Sequence, residues 1–203
     1  MSGLQTGAAR AVGLPVVVDL DGTLVHTDTT LVCIVALRRR PLRLLHALMR
    51  LPQGRAAVKE MLAGAAGLDP ARLSYNSELL AHLRDLRAAG RPLVLATGAD
   101  RRIAEAVARH LDLFDAVLAS DGRTNLTGRR KLLAVSRHLD GAAFVYVGNS
   151  KTDLAIWRGA ASGICVNARP RVARAAARAT RIERIFEPRR SSFARLLAPR
   201  RNG

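Results

Sequence analysis

An apolar run that ends in two aspartates constrains this chain more than any other stretch. Residues 16–28 read VVVDLDGTLVHTD, so Asp19 and Asp21 follow three valines. A short continuous apolar run is typical of a strand buried on both faces, as in a parallel sheet. In extended backbone, residues i and i+2 point to the same side, so both carboxylates are expected to face one pocket. The carboxyl end of such a strand is where open α/β sheets bind ligands.

Two neighbouring carboxylates repel one another, and their burial is costly unless a cation lies between them. Mg²⁺ suits this position because it is a hard cation that prefers oxygen ligands and is often shared with a phosphate. Gly22 allows the backbone to turn tightly, and Thr23 can hydrogen-bond within that turn. The alternative is an ordinary turn with two solvated aspartates.

The rest of the chain alternates between apolar runs and helical patterns. Such alternation predicts an α/β fold, a Rossmann-like parallel sheet with helices on both faces. The predicted strands after the first are 91–97, 114–120, 142–148, 163–167 and an edge strand near 181–186. The predicted helices are 78–89, 100–111, 128–138, 153–160 and one near 171–179.

Residues 29–77 interrupt this rhythm, because they hold Leu-rich and Ala-rich helical segments and no clear strand. The interval is too long for a simple crossover, so we expect a small helical cap over the end of the first strand. The predicted core is then 1–28 with 78–187, and 188–203 is a basic, flexible tail. Within the insertion Arg43, His46 and Arg50 share one helix face. A simpler expectation for the insertion is that Leu44, Leu48 and Leu51 form a small core of their own.

Three later strand ends carry residues suited to phosphate or metal. Thr97 and Gly98 end the second predicted strand just before a helix, where a hydroxyl and free N–H groups can bind an anion. Lys131 begins another predicted helix and can neutralise phosphate, although a solvated lysine is the commoner case. Asn149 and Asp153 follow a fourth strand at a spacing of four, which places both on one face if the chain is helical there. Their alternative is a polar helix start.

The motif order DxDGT, strand-end Thr, Lys and GNxxxD resembles the haloacid dehalogenase (HAD) superfamily of phosphohydrolases over residues 15–168. The insertion resembles the C1-type helical cap of that family. The stretches SDGRTNLTG and YVGNSKTDLAIW resemble the HAD domains fused to UbiA-type membrane prenyltransferases.

The resemblance implies a role for each motif residue. Asp19 would be the nucleophile that forms an aspartyl-phosphate, and Asp21 the general acid and base. Thr97 and the Gly98 amide would hold the phosphoryl oxygens, and Lys131 would neutralise the charge of the phosphate and of Asp19.

The resemblance also implies a Mg²⁺ site. Its ligands would be Asp19, the backbone carbonyl of Asp21, and Asp153, with Asn149 in or near the shell. The family often has Asp where this chain has Asn149, which predicts weaker Mg²⁺ binding. Asp28 lies where a carboxylate faces the substrate in phosphoserine-phosphatase-like relatives; a turn residue bonded to Thr29 or Thr30 is an equal alternative.

Charge and composition bear on the partners. The net charge of +17 indicates an anionic partner, or else an Arg-biased solvated surface. Two isolated cysteines indicate a reduced, cytoplasmic location, and the basic insertion suggests contact with the inner face of an anionic membrane. The resemblance to the fused HAD domains implies a membrane prenyltransferase as a further partner.

The expected activity is hydrolysis of a phosphomonoester, either a small metabolite or a lipid-linked or prenyl phosphate. Two alternatives remain: a phosphotransferase of the same fold, and an anion-binding module that uses the Arg-rich cap and tail. Aromatic residues make up 3% of the chain, which argues against nucleic acid as the partner.

Overall fold

The computed structural model describes residues 13–38 and 40–187. Six parallel strands form one sheet in the order β3-β2-β1-β4-β5-β6. The strands are β1 (Val16–Val18), β2 (Leu93–Asp100), β3 (Ala116–Ser120), β4 (Val145–Gly148), β5 (Ser162–Val166) and β6 (Arg181–Phe186). The helices are α1 (Thr29–Leu37), α2 (Pro41–Leu48), α3 (Arg55–Ala66), α4 (Ser77–Ala88), α5 (Arg101–Leu111), α6 (Gly128–His138), α7 (Leu154–Trp157) and α8 (Pro170–Ala179). The predicted Rossmann-like α/β class is therefore confirmed.

The central strands β1, β4 and β5 are buried on both faces, which explains their apolar runs. Val16 and Val18 point into one hydrophobic cluster together with α4 and α5. Val17 points into a second cluster, formed with α6, α7 and α8. Because side chains alternate along a strand, a central strand covered on both sides must be apolar at every position.

The strand order places a crevice beside β1. The chain proceeds outward from β1 to β2 and β3, then returns to form β4 on the other side of β1. This reversal between β1 and β4 is the switch point at which open α/β sheets bind ligands. Asp19 lies there, and its N–H donates to the carbonyl of Val147 at 3.0 Å.

The insertion is helical, as predicted, and part of it packs on the sheet domain. Cys33, Leu37 and Leu62 from α1 and α3 are buried in the first cluster. In α2 only Ala47 is buried. Leu48 and Leu51 are 44% and 57% exposed, so the expectation of a separate small core is wrong for them. The division into core and cap at residues 29 and 77 stays a prediction.

Two boundaries differ from the predicted ones. β2 continues to Asp100 across an irregularity in its pairing with β3, so Thr97 lies within the strand instead of at its end. The helix predicted at 153–160 is a 3-10 turn, Lys151–Asp153, followed by the single turn of α7.

The predicted tail at 188–203 and the first twelve residues lie outside the described part of the chain. Within the described ranges, none of the helices has the length and apolar character that crossing a bilayer requires.

Candidate active site

Asp19 and Asp21 lie at the mouth of the crevice, but different groups bind their carboxylates. The Asp19 side chain is buried and accepts a hydrogen bond from the Thr23 hydroxyl at 3.3 Å. Asp21 is half-buried, and its Oδ1 accepts the N–H of Thr29 at 2.8 Å, at the start of α1. The structure therefore brings the two aspartates to one crevice while directing Asp21 toward the insertion.

Lys131 is buried, which excludes the commoner case of a solvated helix lysine. Only 4% of it is exposed, and its Nζ donates to Oδ1 of Asp19 at 2.7 Å. The same Nζ lies 3.8 Å from Oδ1 of Asp153. One ammonium group thus joins the ends of β1 and β4.

Tyr146, which no sequence motif indicated, completes this network with its side chain. Its hydroxyl donates to Oδ1 of Asp153 at 2.7 Å and accepts from Lys131 Nζ at 3.2 Å. Burial, and then the carboxylates of Asp153 and Asp19, raise the pKa of Tyr146, so the phenol keeps its proton. A tyrosine within an apolar strand was the available signal, because a buried phenol usually needs a polar partner.

Asp153 also organises the turn after β4. Its Oδ2 accepts the N–H groups of Asn149 and Ser150 at 3.1 and 2.9 Å and the Ser150 hydroxyl at 2.8 Å. A capping turn therefore brings Asn149 and Asp153 together. Asp153 caps the start of a helical segment, as the alternative of a polar helix start predicted.

Gly22 allows the first loop to pass close to this turn. Its φ is +74°, and a Cβ there would collide with the side-chain amide of Asn149. The Gly22 carbonyl accepts a bond from the Asn167 side chain at 3.2 Å, which ties the loop to the end of β5. Both the left-handed backbone and the close approach require glycine.

Thr97 and Gly98 lie at the next strand, in a bulge of β2. The buried Thr97 hydroxyl accepts the N–H of Ala99 at 3.0 Å. The Gly98 carbonyl accepts bonds from Lys59 Nζ at 2.7 Å and from the Ser120 hydroxyl at 3.0 Å. Lys59, on α3, is a second residue of the site that no sequence motif indicated; burial raises the pKa of Asp21, and the charge of Lys59 opposes this rise.

Asp28 is exposed and caps α1. This agrees with the alternative prediction that Asp28 is a turn residue that bonds to the local backbone. Its Oδ1 accepts the N–H groups of Thr30 and Leu31 at 2.7 and 3.4 Å. A side-chain bond to the backbone at this position is typical of helix N-caps. Direct contact between Asp28 and a substrate stays a prediction.

Burial dominates the electrostatics of the site. It raises the pKa of Asp19 to about 7, even though the charge of Lys131 acts in the opposite direction. Burial by itself would lower the pKa of Lys131, but Asp19 and Asp153 outweigh it and the pKa is raised. Burial also raises the pKa of Asp21, and the bond from Thr29 opposes this rise. Burial therefore acts against the ionised form of Asp19, and the neighbouring charge of Lys131 acts in favour of it.

These donors fit a hard cation in their chemistry. Within residues 13–38 and 40–187, no three His, Cys, Asp or Glu side chains form a group that could hold a metal ion. The expected ligand set does not need such a group, because only Asp19 and Asp153 would contribute acidic side chains. A cation beside Asp19 would favour its ionised form. Oδ2 of Asp153 already accepts three protein hydrogen bonds, so the lone pair that would bind a metal is on Oδ1, which accepts one bond, from Tyr146.

Comparison with known proteins supports the architecture. A family model described as haloacid dehalogenase-like hydrolase matches residues 16–158. The uncharacterized protein y4nM of Sinorhizobium fredii is 37% identical over 154 residues, which is 75% of this chain. The chain spans only 30% of that protein's length.

Solved structures share the fold at low sequence identity. A Bordetella pertussis Tohama I protein of unknown function has a TM-score of 0.63 and 20% identity, covering 85% of this chain and 98% of that one. A substrate-bound phosphoserine phosphatase has a TM-score of 0.61 and 14% identity, with coverages of 90% and 97%. A phospho-aspartyl intermediate analogue of phosphoserine phosphatase has a TM-score of 0.57 and 14% identity, with coverages of 91% and 99%.

Proposed function

This chain belongs to the haloacid dehalogenase-like hydrolase family, and we propose that it is a Mg²⁺-dependent phosphatase that hydrolyses a phosphomonoester through an aspartyl-phosphate. The observation that carries the proposal is the buried contact of 2.7 Å between Lys131 Nζ and Asp19 at the switch point of the sheet. A buried lysine beside a buried carboxylate is the arrangement that phosphoryl transfer needs, because the incoming phosphate adds further negative charge.

In the first step, a carboxylate oxygen of Asp19 attacks phosphorus, and the bond from phosphorus to the ester oxygen breaks. Asp21 gives its proton to the leaving alcohol. Burial raises the pKa of Asp21, which favours the protonated form needed here. In the second step, water attacks phosphorus and returns a proton to Asp21. Asp19 leaves as the free carboxylate, and inorganic phosphate is released.

The surrounding residues position the phosphoryl group. Lys131 offers its charge to the phosphoryl oxygens, and the bulge at Thr97 and Gly98 offers a hydroxyl and a backbone N–H. Mg²⁺ held by Asp19, the Asp21 carbonyl and Asp153, with Asn149 nearby, would supply the remaining positive charge. Support for the covalent route at family level is the phospho-aspartyl analogue of phosphoserine phosphatase, whose fold this chain shares.

Turnover of p-nitrophenyl phosphate with and without Mg²⁺ tests the proposal. Asp19→Asn removes the nucleophile and should abolish turnover. Asp85→Asn, an exposed change of the same kind on α4, should not. Equal activity in the two variants would reject the assignment of Asp19. Release of more p-nitrophenol than phosphate in the presence of glycerol would identify a phosphotransferase instead.

A separate surface favours a peripheral membrane contact. On α2 and just after it, Leu42, Leu45 and Met49 are 80%, 58% and 70% exposed. The sequence from 29 to 59 has no acidic residue and six arginines. Exposed apolar side chains beside arginines are typical of helices that lie on anionic bilayers. We propose that this surface, the α2 patch (Leu42, Leu45 and Met49), contacts such a bilayer.

Co-sedimentation with vesicles tests this contact. The chain should bind vesicles that contain phosphatidylglycerol and not vesicles of phosphatidylcholine alone. Replacing Leu42 and Met49 with Ser should weaken binding, whereas Leu133→Ser, which changes a leucine on α6 that is 57% exposed, should not. Equal binding of all variants would reject a role for the α2 patch.

A further inference from the structure

A large cavity lies beside the proposed active site, between the insertion and the sheet domain. Its volume is about 1120 Å³, and its walls come from α2, α3, the start of α5 and the loop after β3. Small-molecule sites commonly measure roughly 300–1,000 Å³, so this cavity has room for a whole metabolite. Asp19, Asp21 and Lys131 do not line it.

Positive charge dominates the lining. Arg43, Arg50, Arg102 and Arg123 face the cavity, together with His46. Arg43, His46 and Arg50 are the basic face that the sequence predicts for the second helix of the insertion. Arginine recognises phosphate and carboxylate groups through paired N–H donors.

The two acidic residues of the lining already have partners. Glu60 lies 3.6 Å from Arg102. Asp121 accepts the backbone N–H groups of Thr124 and Arg123, and these bonds hold its pKa below the usual value. Arg50 donates to the neutral side chain of Gln53 at 2.8 Å. Over the described ranges, Arg43 and the Arg123 side chain form no ion pair with a carboxylate.

Helix α3 forms a wall between the cavity and the proposed active site at Asp19 and Gly98. Lys59 reaches the carbonyl of Gly98 on one side. The next residue, Glu60, lines the cavity and lies against Gly122 on the other. Successive residues of a helix point about 100° apart, so one turn of α3 faces both spaces. The cavity and the site around Asp19 therefore lie on the two sides of one turn of α3.

From this arrangement we propose that the cavity receives a second phosphate group of the substrate, so that the enzyme prefers bisphosphorylated metabolites. This inference rests on the proposed phosphatase activity. Among the described residues that line the cavity there is no Phe, Tyr or Trp to stack a nucleobase, and the apolar ones are Met61 and alanines. The substrate is therefore a sugar or a small polyhydroxy acid in which one phosphate is cleaved at Asp19 and the other binds Arg43 and Arg123.

Matched substrate pairs test the inference. The pairs are fructose 1,6-bisphosphate with fructose 6-phosphate, glucose 1,6-bisphosphate with glucose 6-phosphate, and 2,3-bisphosphoglycerate with 2-phosphoglycerate. The wild-type chain should show a higher kcat/KM for the bisphosphate in at least one pair. Replacing Arg43 and Arg123 with Ala should lower that kcat/KM by about 10- to 100-fold, mainly through KM, because hydrogen bonds between charged groups are lost.

Two controls separate the outcomes. Arg137→Ala combined with Arg158→Ala removes the same charge from exposed positions outside the lining and should leave the preference intact. Turnover of p-nitrophenyl phosphate, which has a single phosphate, should be equal in all three proteins. Absence of a bisphosphate preference in every pair, or an equal loss with p-nitrophenyl phosphate, would overturn the inference and leave the phosphatase assignment standing. Absence of any wild-type turnover would overturn both.

Discussion

Replacing Tyr146 with Phe removes one hydroxyl from the centre of the site and leaves the ring in place. The ring is fully buried and packs edge-on against Trp157, so no cavity is created. The lost group donates to Asp153 at 2.7 Å and accepts from Lys131 at 3.2 Å. A hydrogen bond to a charged group contributes roughly 1.5–3 kcal/mol, which corresponds to about 3–12 °C in Tm for a chain of this length.

Thermal unfolding followed by circular dichroism measures this change, and the other tyrosine provides the control. The hydroxyl of Tyr75 is partly buried and donates to a neutral backbone carbonyl, that of Pro70, at 3.0 Å. Its loss in Tyr75→Phe should cost only about 0.5–1.5 kcal/mol. A Tyr146→Phe protein no less stable than Tyr75→Phe would refute the argument that the buried charged network depends on this hydroxyl.

The same substitution tests the link between structure and activity. Tyr146 orients Asp153 and Lys131 without contacting the substrate, so it is a positioning residue. If Asp153 holds Mg²⁺, Tyr146→Phe should weaken Mg²⁺ binding or activity by about 10- to 100-fold. Isothermal titration with Mg²⁺ and kinetics with p-nitrophenyl phosphate measure the two quantities separately, and Tyr75→Phe should change neither.

Three further predictions concern single positions around the crevice. Gly22→Ala should destabilise the fold by about 1–3 kcal/mol or more. Gly90→Ala should cost less, because both glycines have positive φ but, of the two, only Gly22 lies close to another side chain. Equal urea midpoints for the two variants would contradict this. Asn149→Asp should tighten Mg²⁺ binding by adding a negative charge, and looser binding in calorimetry would reject that view. Lys59→Met should lower kcat/KM by about tenfold, whereas the exposed change Lys151→Met should not; equal kinetics would remove Lys59 from the site.

Much of the fold could be predicted because its signals are local. Both faces of β1 are covered, so it is apolar at every position, and the run of valines in the sequence indicates this. The helix predicted at 78–89 is α4, Ser77–Ala88, with an Asn76 cap whose side chain accepts the N–H of Leu79. The end of β2 could not be predicted, because the bulge after Thr97 depends on pairing with β3.

The candidate site was predictable in outline and not in its connections. Four loops could be placed at one edge of the sheet from the strand pattern. The burial of Lys131 could not be predicted, because it depends on a contact with Asp19, which is 112 residues away in sequence. The role of Tyr146 could not be predicted for the same reason, because it depends on the side chains that surround the phenol in the folded protein. The contact between Lys59 and Gly98 could not be predicted either, because it depends on how α3 crosses the edge of the sheet, and no local sequence pattern gives that path.

The most direct test of the account is to locate the phosphoryl group on the protein during turnover. The reaction with p-nitrophenyl phosphate is stopped in acid, and borohydride then reduces any acyl phosphate, so that a phosphorylated aspartate becomes homoserine. Mass spectrometry of the digested protein should find this conversion at Asp19 and nowhere else. Conversion at a different residue, or an unmodified Asp19 in a protein that is releasing phosphate, would contradict the proposed mechanism.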